Sequence, residues 1–249
     1  MDNFNVIIPA RMHSSRLNQK MVQLIGDVPL IVMTARQVEK SNASQVIVAT
    51  DHDEIMDICS KNNIKAVMTS DQHNSGTERI HEACQNLGFK NSEIIINVQG
   101  DEPFIEPSLI NELAKFMHKR NFATVAHPIS TKEEICNPNV VKVVLDHKQN
   151  ALYFSRATIP YYRDGFSHDD FKLPKTLSIL RHIGIYGYTV DFLKQYVNLK
   201  PTNLEQIEAL EQLRPLYYGH KISVLITKLK LESGIDTIDD LNRARNKIK

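Results

Sequence analysis

Four short apolar runs in the first hundred residues constrain the fold of this 249-residue chain more than any other feature. They are "NVIIPA" (5–10), "QVIVAT" (45–50), "KAVMTS" (65–70) and "EIIINVQ" (93–99), with helical patterns near 29–41, 52–62, 76–87 and 107–119 between and after them. A strand that is apolar throughout, without alternation, has to be covered on both faces. With amphipathic helices between such strands, the expected class is α/β: a mostly parallel sheet flanked by helices. Ligands of such sheets lie beyond the carboxyl ends of the strands. Here those ends read "PAR", "ATD", "MTS" and "QGDEP".

The middle of the chain changes character. "VVKVVLD" (140–146), "ALYFS" (151–155) and "HIGIYGYTV" (182–190) read as strands, and the polar, Pro-containing stretch 160–175 reads as a mobile loop. A helix is expected over 203–214, opened by the capping-box pattern Thr202-x-x-Glu205, with Leu204, Ile207, Leu210 and Leu213 as its apolar stripe. On that helix Glu208 and Glu211 would share a face. A strand over 221–229 and a helix over 238–248 complete the pattern. No internal repeat or linker divides it, so one domain over 1–249 is expected, with a β-rich insertion at about 121–200.

Composition narrows the function classes. Thirty Lys and Arg against 29 Asp and Glu give a net charge of +1, without the basic excess that marks a nucleic-acid surface. Any cationic site must be local. Cys59, Cys84 and Cys136 are far apart and unpaired by spacing, as for free thiols in a reducing compartment. The N-terminus lacks the pattern of a signal peptide, and no apolar run approaches the ~20 residues that span a bilayer. A soluble, cytoplasmic protein is expected, with neither nucleic acid nor membrane as partner.

Four stretches carry residue types suited to chemistry. In "VIIPARMHSSRLNQK" (6–20) an apolar strand gives way to Arg11, Arg16 and Lys20, cations suited to phosphate oxygens. The loop contains no glycine, so neither glycine-rich phosphate signature is present. In "NVQGDEPFI" (97–105), Gly100 would let the backbone turn at the strand end, and Asp101 and Glu102 would project beyond it. Magnesium takes its ligands from one or two such carboxylates plus phosphates. A third acid, Asp236, precedes a helix start at which Thr237 and Asp240 can form a cap. In "HNSGTERIHEA" (73–83), Ser75, Gly76 and Thr77 stand at a helix start, where plain N-capping and contact with a base or phosphate are both compatible with the pattern.

Taken in order, "IIPAR…SSR…K", "VATD", "SGTERI", "NVQGDEP", "NPNVVKVVLD", "ALYFSRATIP", "RHIGIYGY", "LEQIEALEQLR" and "IDT" closely resemble the 3-deoxy-manno-octulosonate (Kdo) cytidylyltransferases of lipopolysaccharide synthesis. The resemblance runs from about residue 5 to 245, and "SGTER", "VQGDEP" and "FSRATIP" are its specific elements. It implies a Rossmann-like sheet of the nucleotide-diphospho-sugar transferase type, and a homodimer built through the β-rich insertion. It also implies transfer of CMP from CTP to the anomeric hydroxyl of Kdo, with release of pyrophosphate and Mg2+ as cofactor.

By the same resemblance Arg11, Arg16 and Lys20 match the triphosphate-binding cations, with Ala10 beside them, and Asp101 and Asp236 match the magnesium ligands. Ser75, Thr77 and Arg79 fall beside the nucleotide base, and Gln99 near both substrates. Arg156, Arg163, His182, Tyr186, Glu211 and Gln212 match the sugar-acid pocket and its neighbouring loop. The chain departs from the family at Asn18-Gln19, where relatives usually read Pro-Gly before the lysine. Asparagine tolerates a left-handed backbone better than most residues, whereas glutamine does not. Two other classes share parts of the pattern: a nucleotide-sugar glycosyltransferase, which would release a nucleotide, and a non-catalytic nucleotide sensor.

Overall fold

The computed structural model describes residues 3–13, 17–166, 178–229, 231–232 and 234–248. The first apolar run becomes strand β1 (Phe4–Ala10), in which Val6, Ile7 and Ile8 are fully buried, as coverage on both faces requires. In chain order there follow a 3-10 turn (Lys20–Val22), the hairpin strands β2 (Leu24–Ile25) and β3 (Val28–Pro29), α1 (Leu30–Val38), β4 (Gln45–Thr50) and α2 (Asp53–Lys61). Next come β5 (Ala66–Met68), α3 (Gly76–Asn86), β6 (Ile94–Asn97), α4 (Pro107–Phe116), β7 (Phe122–Ile129) and α5 (Lys132–Cys136). The chain continues through β8 (Lys142–Leu145), β9 (Ala151–Ser155), β10 (Ile179–Thr189) and α6 (Val190–Tyr196). Last are α7 (Asn203–Glu208), α8 (Leu213–Tyr217), β11 (Ser223–Ile226) and α9 (Ile238–Lys247). None of these helices is long and apolar enough to cross a membrane.

The chain forms two units. One comprises Met1–Asn121, Ile185–Val197 and Lys230–Lys249; the other comprises Phe122–Gly184 and Asn198–Leu229. In the first unit β6, β1, β4 and β5 pair in parallel in that order, and the end of β10 joins β6 antiparallel with Tyr186 opposite Asn97. Because the four strands run the same way, Arg11, Asp51, Thr69 and the Gln99–Asp101 segment all follow the same edge of the sheet. Helix α3 starts at that edge, with Gly76 packed near the Pro9 ring. Helix α9 is anchored through a cluster of Leu17, Ile25, Leu30, Ile235, Leu241 and Ala244.

In the second unit β11 pairs in parallel with β7, β7 neighbours β10, and β8 pairs antiparallel with both β10 and β9. Strand β7 is absent from the sequence expectation. Its "HP" pair interrupts the apolar run, and a proline within a run argues against a paired strand. The helix expected over 203–214 is also corrected. Its Thr202–Glu205 capping box forms, but Ala209 adopts φ 50°, ψ 52° and the Leu210 N–H returns to the Glu205 carbonyl at 3.0 Å, closing the helix at Glu208. Ile207 is consequently exposed while Leu210 and Leu213 are buried, and Glu208 and Glu211 no longer share a helical face.

Candidate active site

Two acids 135 positions apart in the sequence converge on one lysine. The Lys20 ammonium donates to Asp101 and, at 3.0 Å, to Asp236 Oδ1. Convergence is built into the backbone: the Ile235 N–H donates to the Asp101 carbonyl at 2.8 Å, and Ile235 itself is buried in the α9 anchor. Gly234 permits this approach, since a Cβ there would lie 2.8 Å from Glu102 Oε1 and 3.3 Å from the Asp101 carbonyl. Thr237 and Asp240 form the reciprocal cap of α9 directly after Asp236.

Gly100 plays a different part from the turn expected of it. It is not among the residues with positive φ; a Cβ would instead meet Met21 Sδ at 2.7 Å and the Pro9 carbonyl at 3.2 Å. Glycine is therefore required for close packing of two strand ends, and Thr34 Oγ1 holds the Gly100 carbonyl at 2.8 Å. The left-handed residue is Gln19, at φ 49°, ψ 40°, immediately before Lys20. Such a backbone costs a residue with a Cβ roughly 1–2 kcal/mol. Lys20 is 7% exposed. Burial works against its charge, but the two carboxylates outweigh burial and its pKa rises above the ordinary lysine value.

The other candidates of this unit surround the same sheet edge. Ala10 is buried at the end of β1, and Arg11 follows it, exposed; Arg16 lies outside the described residues. Ser75 caps α3, its hydroxyl accepting from the Glu78 N–H at 3.2 Å. Thr77 is buried with its hydroxyl 3.4 Å from that of Tyr188, on which Tyr186 stacks. Gln99 reaches its neighbour Asn97 at 3.5 Å. Arg79 is buried and bonded to Thr69 Oγ1 at 2.6 Å, the Ser70 carbonyl at 3.2 Å and Asp51 Oδ2 at 2.7 Å.

The second unit holds the remaining candidates. The Arg156 guanidinium donates to the carbonyls of Glu208 (2.7 Å), Pro138 (3.1 Å) and Ala209 (3.4 Å). The Glu208 carboxylate in turn accepts from Ser155 Oγ at 2.5 Å and the Arg156 N–H at 2.9 Å. Beneath this network Lys142 is fully buried and its ammonium is shared by the carbonyls of Asn137, Val140 and Arg156 at 2.6–2.9 Å. Burial pulls the Lys142 pKa below the usual value. His182 meets Thr124 Oγ1 at 2.9 Å and Phe154 edge-on, and burial pushes its pKa down to about 3, so its ring is neutral. Glu211 is partly buried, and Gln212 is buried at the position that precedes α8, without a side-chain cap bond to that helix. Arg163 stays exposed, paired with adjacent Asp164.

Asp51 and Lys142 were not singled out by the sequence reading, and Glu208 was noted there only for sharing a helical face with Glu211. The position of Asp51 at a strand end was the one local signal available for it. Asp101 and Asp236 suit a hard divalent cation: two carboxylates already aim at one positive charge, and such ions fill the rest of their shell with phosphate and water oxygens. Among the described residues no group of three or more His, Cys, Asp or Glu gathers to hold a metal.

Comparison with known proteins gives a consistent picture. A family model described as cytidylyltransferase matches residues 5–222. The 3-deoxy-manno-octulosonate cytidylyltransferase of Herminiimonas arsenicoxydans is 49% identical over 244 residues, covering 98% of each chain. That of Neisseria meningitidis serogroup C (strain 053442) is 47% identical over 247 residues, again covering 98% of each. A solved structure of CMP:2-keto-3-deoxy-manno-octonic acid synthetase complexed with CTP matches with a TM-score of 0.88 at 34% identity, covering 99% of this chain and 98% of that one. A Leptospira borgpetersenii cytidylyltransferase, at 16% identity and a TM-score of 0.60 over 96% of this chain and 84% of its own, shares the fold.

Proposed function

We infer the roles of the site residues from one premise, that this chain belongs to the 3-deoxy-manno-octulosonate cytidylyltransferases of the cytidylyltransferase family. The enzyme transfers CMP from CTP to the anomeric hydroxyl of 3-deoxy-D-manno-octulosonate and releases pyrophosphate. Transfers at phosphorus need mostly positioning and charge neutralisation. The single observation that carries the assignment of roles is the ammonium of Lys20 held jointly by Asp101 and Asp236.

In this reading Arg11, Arg16 and Lys20 neutralise the triphosphate, and Lys20 exchanges its carboxylate partners for phosphate oxygens when CTP arrives. Asp101 and Asp236, relieved of Lys20, would hold magnesium. When bound there the ion supplies positive charge at the reacting phosphate and lowers the pKa of a nearby hydroxyl. The capped start of α3, with Ser75, Thr77 and Arg79, forms the base side, and Gln99 and Tyr186 lie on the same sheet edge. Arg156 orders the sugar-acid side of the second unit through the carbonyls it holds, and its positive charge suits the carboxylate of the sugar acid. Arg163, His182, Glu211 and Gln212 belong to the same side. A homodimer formed through this unit fits its exposed Leu152, Ile207 and Tyr217, which are 63%, 83% and 64% accessible. Kdo activation in the cytoplasm, for lipopolysaccharide synthesis, completes the reading.

The test is pyrophosphate release on mixing the protein with CTP, Kdo and magnesium, compared with Asp101→Asn and Asp236→Asn. Each variant is expected to lose ~100- to 1000-fold in rate with the fold intact, as for the loss of one directed electrostatic contact. Near-normal turnover by both at saturating magnesium contradicts the assignment.

A further inference from the structure

We propose that Asp51 is a positioning residue for the nucleotide, tying the phosphate-side loop to the base-side helix. The proposal rests on the reading above and adds a residue that it does not contain. Asp51 follows β4 directly, and its two carboxylate oxygens face different elements. Oδ1 accepts from the Met12 N–H at 3.2 Å, and Oδ2 accepts from Arg79 at 2.7 Å. Met12 is next to Arg11 at the start of the cationic loop, and Arg79 lies in the first turns of α3, just after Ser75 and Thr77.

Both ends of the link are buried. The side chains of Arg79 and Asp51 are 4% and 11% accessible, and Met12 is 2% exposed. Arg79 is held further by Thr69 Oγ1, and Thr69 is bonded through both N–H and hydroxyl to the Thr50 carbonyl of β4. The ends of β1 and β4 and the start of α3 are thus joined through one carboxylate, and Arg79 extends the link to Thr69 at the end of β5. A buried guanidinium without its counter-charge, or a buried N–H without its acceptor, carries a desolvation cost that structures avoid by rearranging. Removing Asp51 does both at once, and the rearrangement falls on the loop of Arg11 and on the first turn of α3. With its charge answered by Asp51, Arg79 acts on the nucleotide through the shape it fixes, and Asp51 carries that function.

A merely stabilising carboxylate would lower the melting temperature and leave ligand affinity alone, so affinity is the readout. CTP binding is measured by titration calorimetry with magnesium and without the sugar acid, on wild type, Asp51→Ala and Asp51→Asn. The expected result is a weakening of at least about tenfold in Asp51→Ala, as for loss of a charge-assisted contact. Asp51→Asn, which keeps an acceptor for the Met12 N–H, should weaken binding less. In steady state the change should appear in KM for CTP, with kcat and KM for the sugar acid within about twofold. Unchanged CTP affinity in folded Asp51→Ala overturns the proposal, as does a loss shared equally by kcat. If Asp51→Ala does not fold, Asp51→Asn decides on the same criterion. Failure of the wild type to release pyrophosphate strikes the family reading instead, while the binding comparison still judges Asp51.

Discussion

Replacing Lys20 by methionine removes the ammonium between Asp101 and Asp236 while keeping an unbranched apolar stem of similar length. Breaking a fully buried ion pair costs about 3–5 kcal/mol, because the remaining charge is uncompensated. Here the side chains of Lys20, Asp101 and Asp236 are 9%, 21% and 41% accessible, so solvent screens part of that loss. About 2 kcal/mol is the resulting expectation. For a chain of this size each kcal/mol shifts the melting temperature by about 2–4 °C, giving a fall of about 4–8 °C in the presence of EDTA. The two carboxylates left facing each other then form a better site for a divalent cation than they do in the wild type. Magnesium should therefore raise the melting temperature of Lys20→Met more than that of the wild type. Thermal unfolding followed by circular dichroism, with EDTA and with excess magnesium, reads both effects. A shift within about 1 °C of wild type in EDTA, or an equal magnesium response in both proteins, would show that the Lys20 pairing does not organise this site.

The left-handed Gln19 offers a second test: Gln19→Gly should raise stability by about 0.5–1 kcal/mol and Gln19→Val should lower it, both read by denaturant titration. His182 supplies the pH dependence. Its folded pKa, about 3, lies below the unfolded value of about 6.5, so the unfolded chain takes the proton first and the stability held above about pH 6.5 is lost as pH falls toward 3. About 1–2 kcal/mol should disappear by about pH 5, and the slope should flatten in His182→Asn; an unchanged slope would place the titrating group elsewhere.

How much was legible beforehand depended on the range over which each determinant acts. The strands over 45–50 and 151–155 have the bounds read from their apolar runs, and the caps at Thr202–Glu205 and Thr237–Asp240 form as their spacing implies. Each of these rests on residues a few positions apart. Ala209 was not legible, because leaving the helix there depends on burying Leu210 and Leu213 while Glu208 turns to Ser155 and Arg156, residues more than fifty positions away. Strand β7 was not legible because its pairing with β11 and β10 outweighs a local pattern weakened by His127 and Pro128.

The amino-acid order by itself determined the α/β class and the sheet edge at which cations and acids would emerge, since continuous apolar runs, the 3.6-residue helical period and helix caps are short-range properties. Only tertiary structure decided which charge meets which. Lys20 finds Asp101 and Asp236 across 81 and 216 positions, because Gly100 and Gly234 let three backbones approach where a Cβ would collide. Arg79 and Arg156, alike in sequence as free cations, are instead committed to Asp51 and to backbone carbonyls. A long charged side chain reaches many partners, and the backbones packed around it select one.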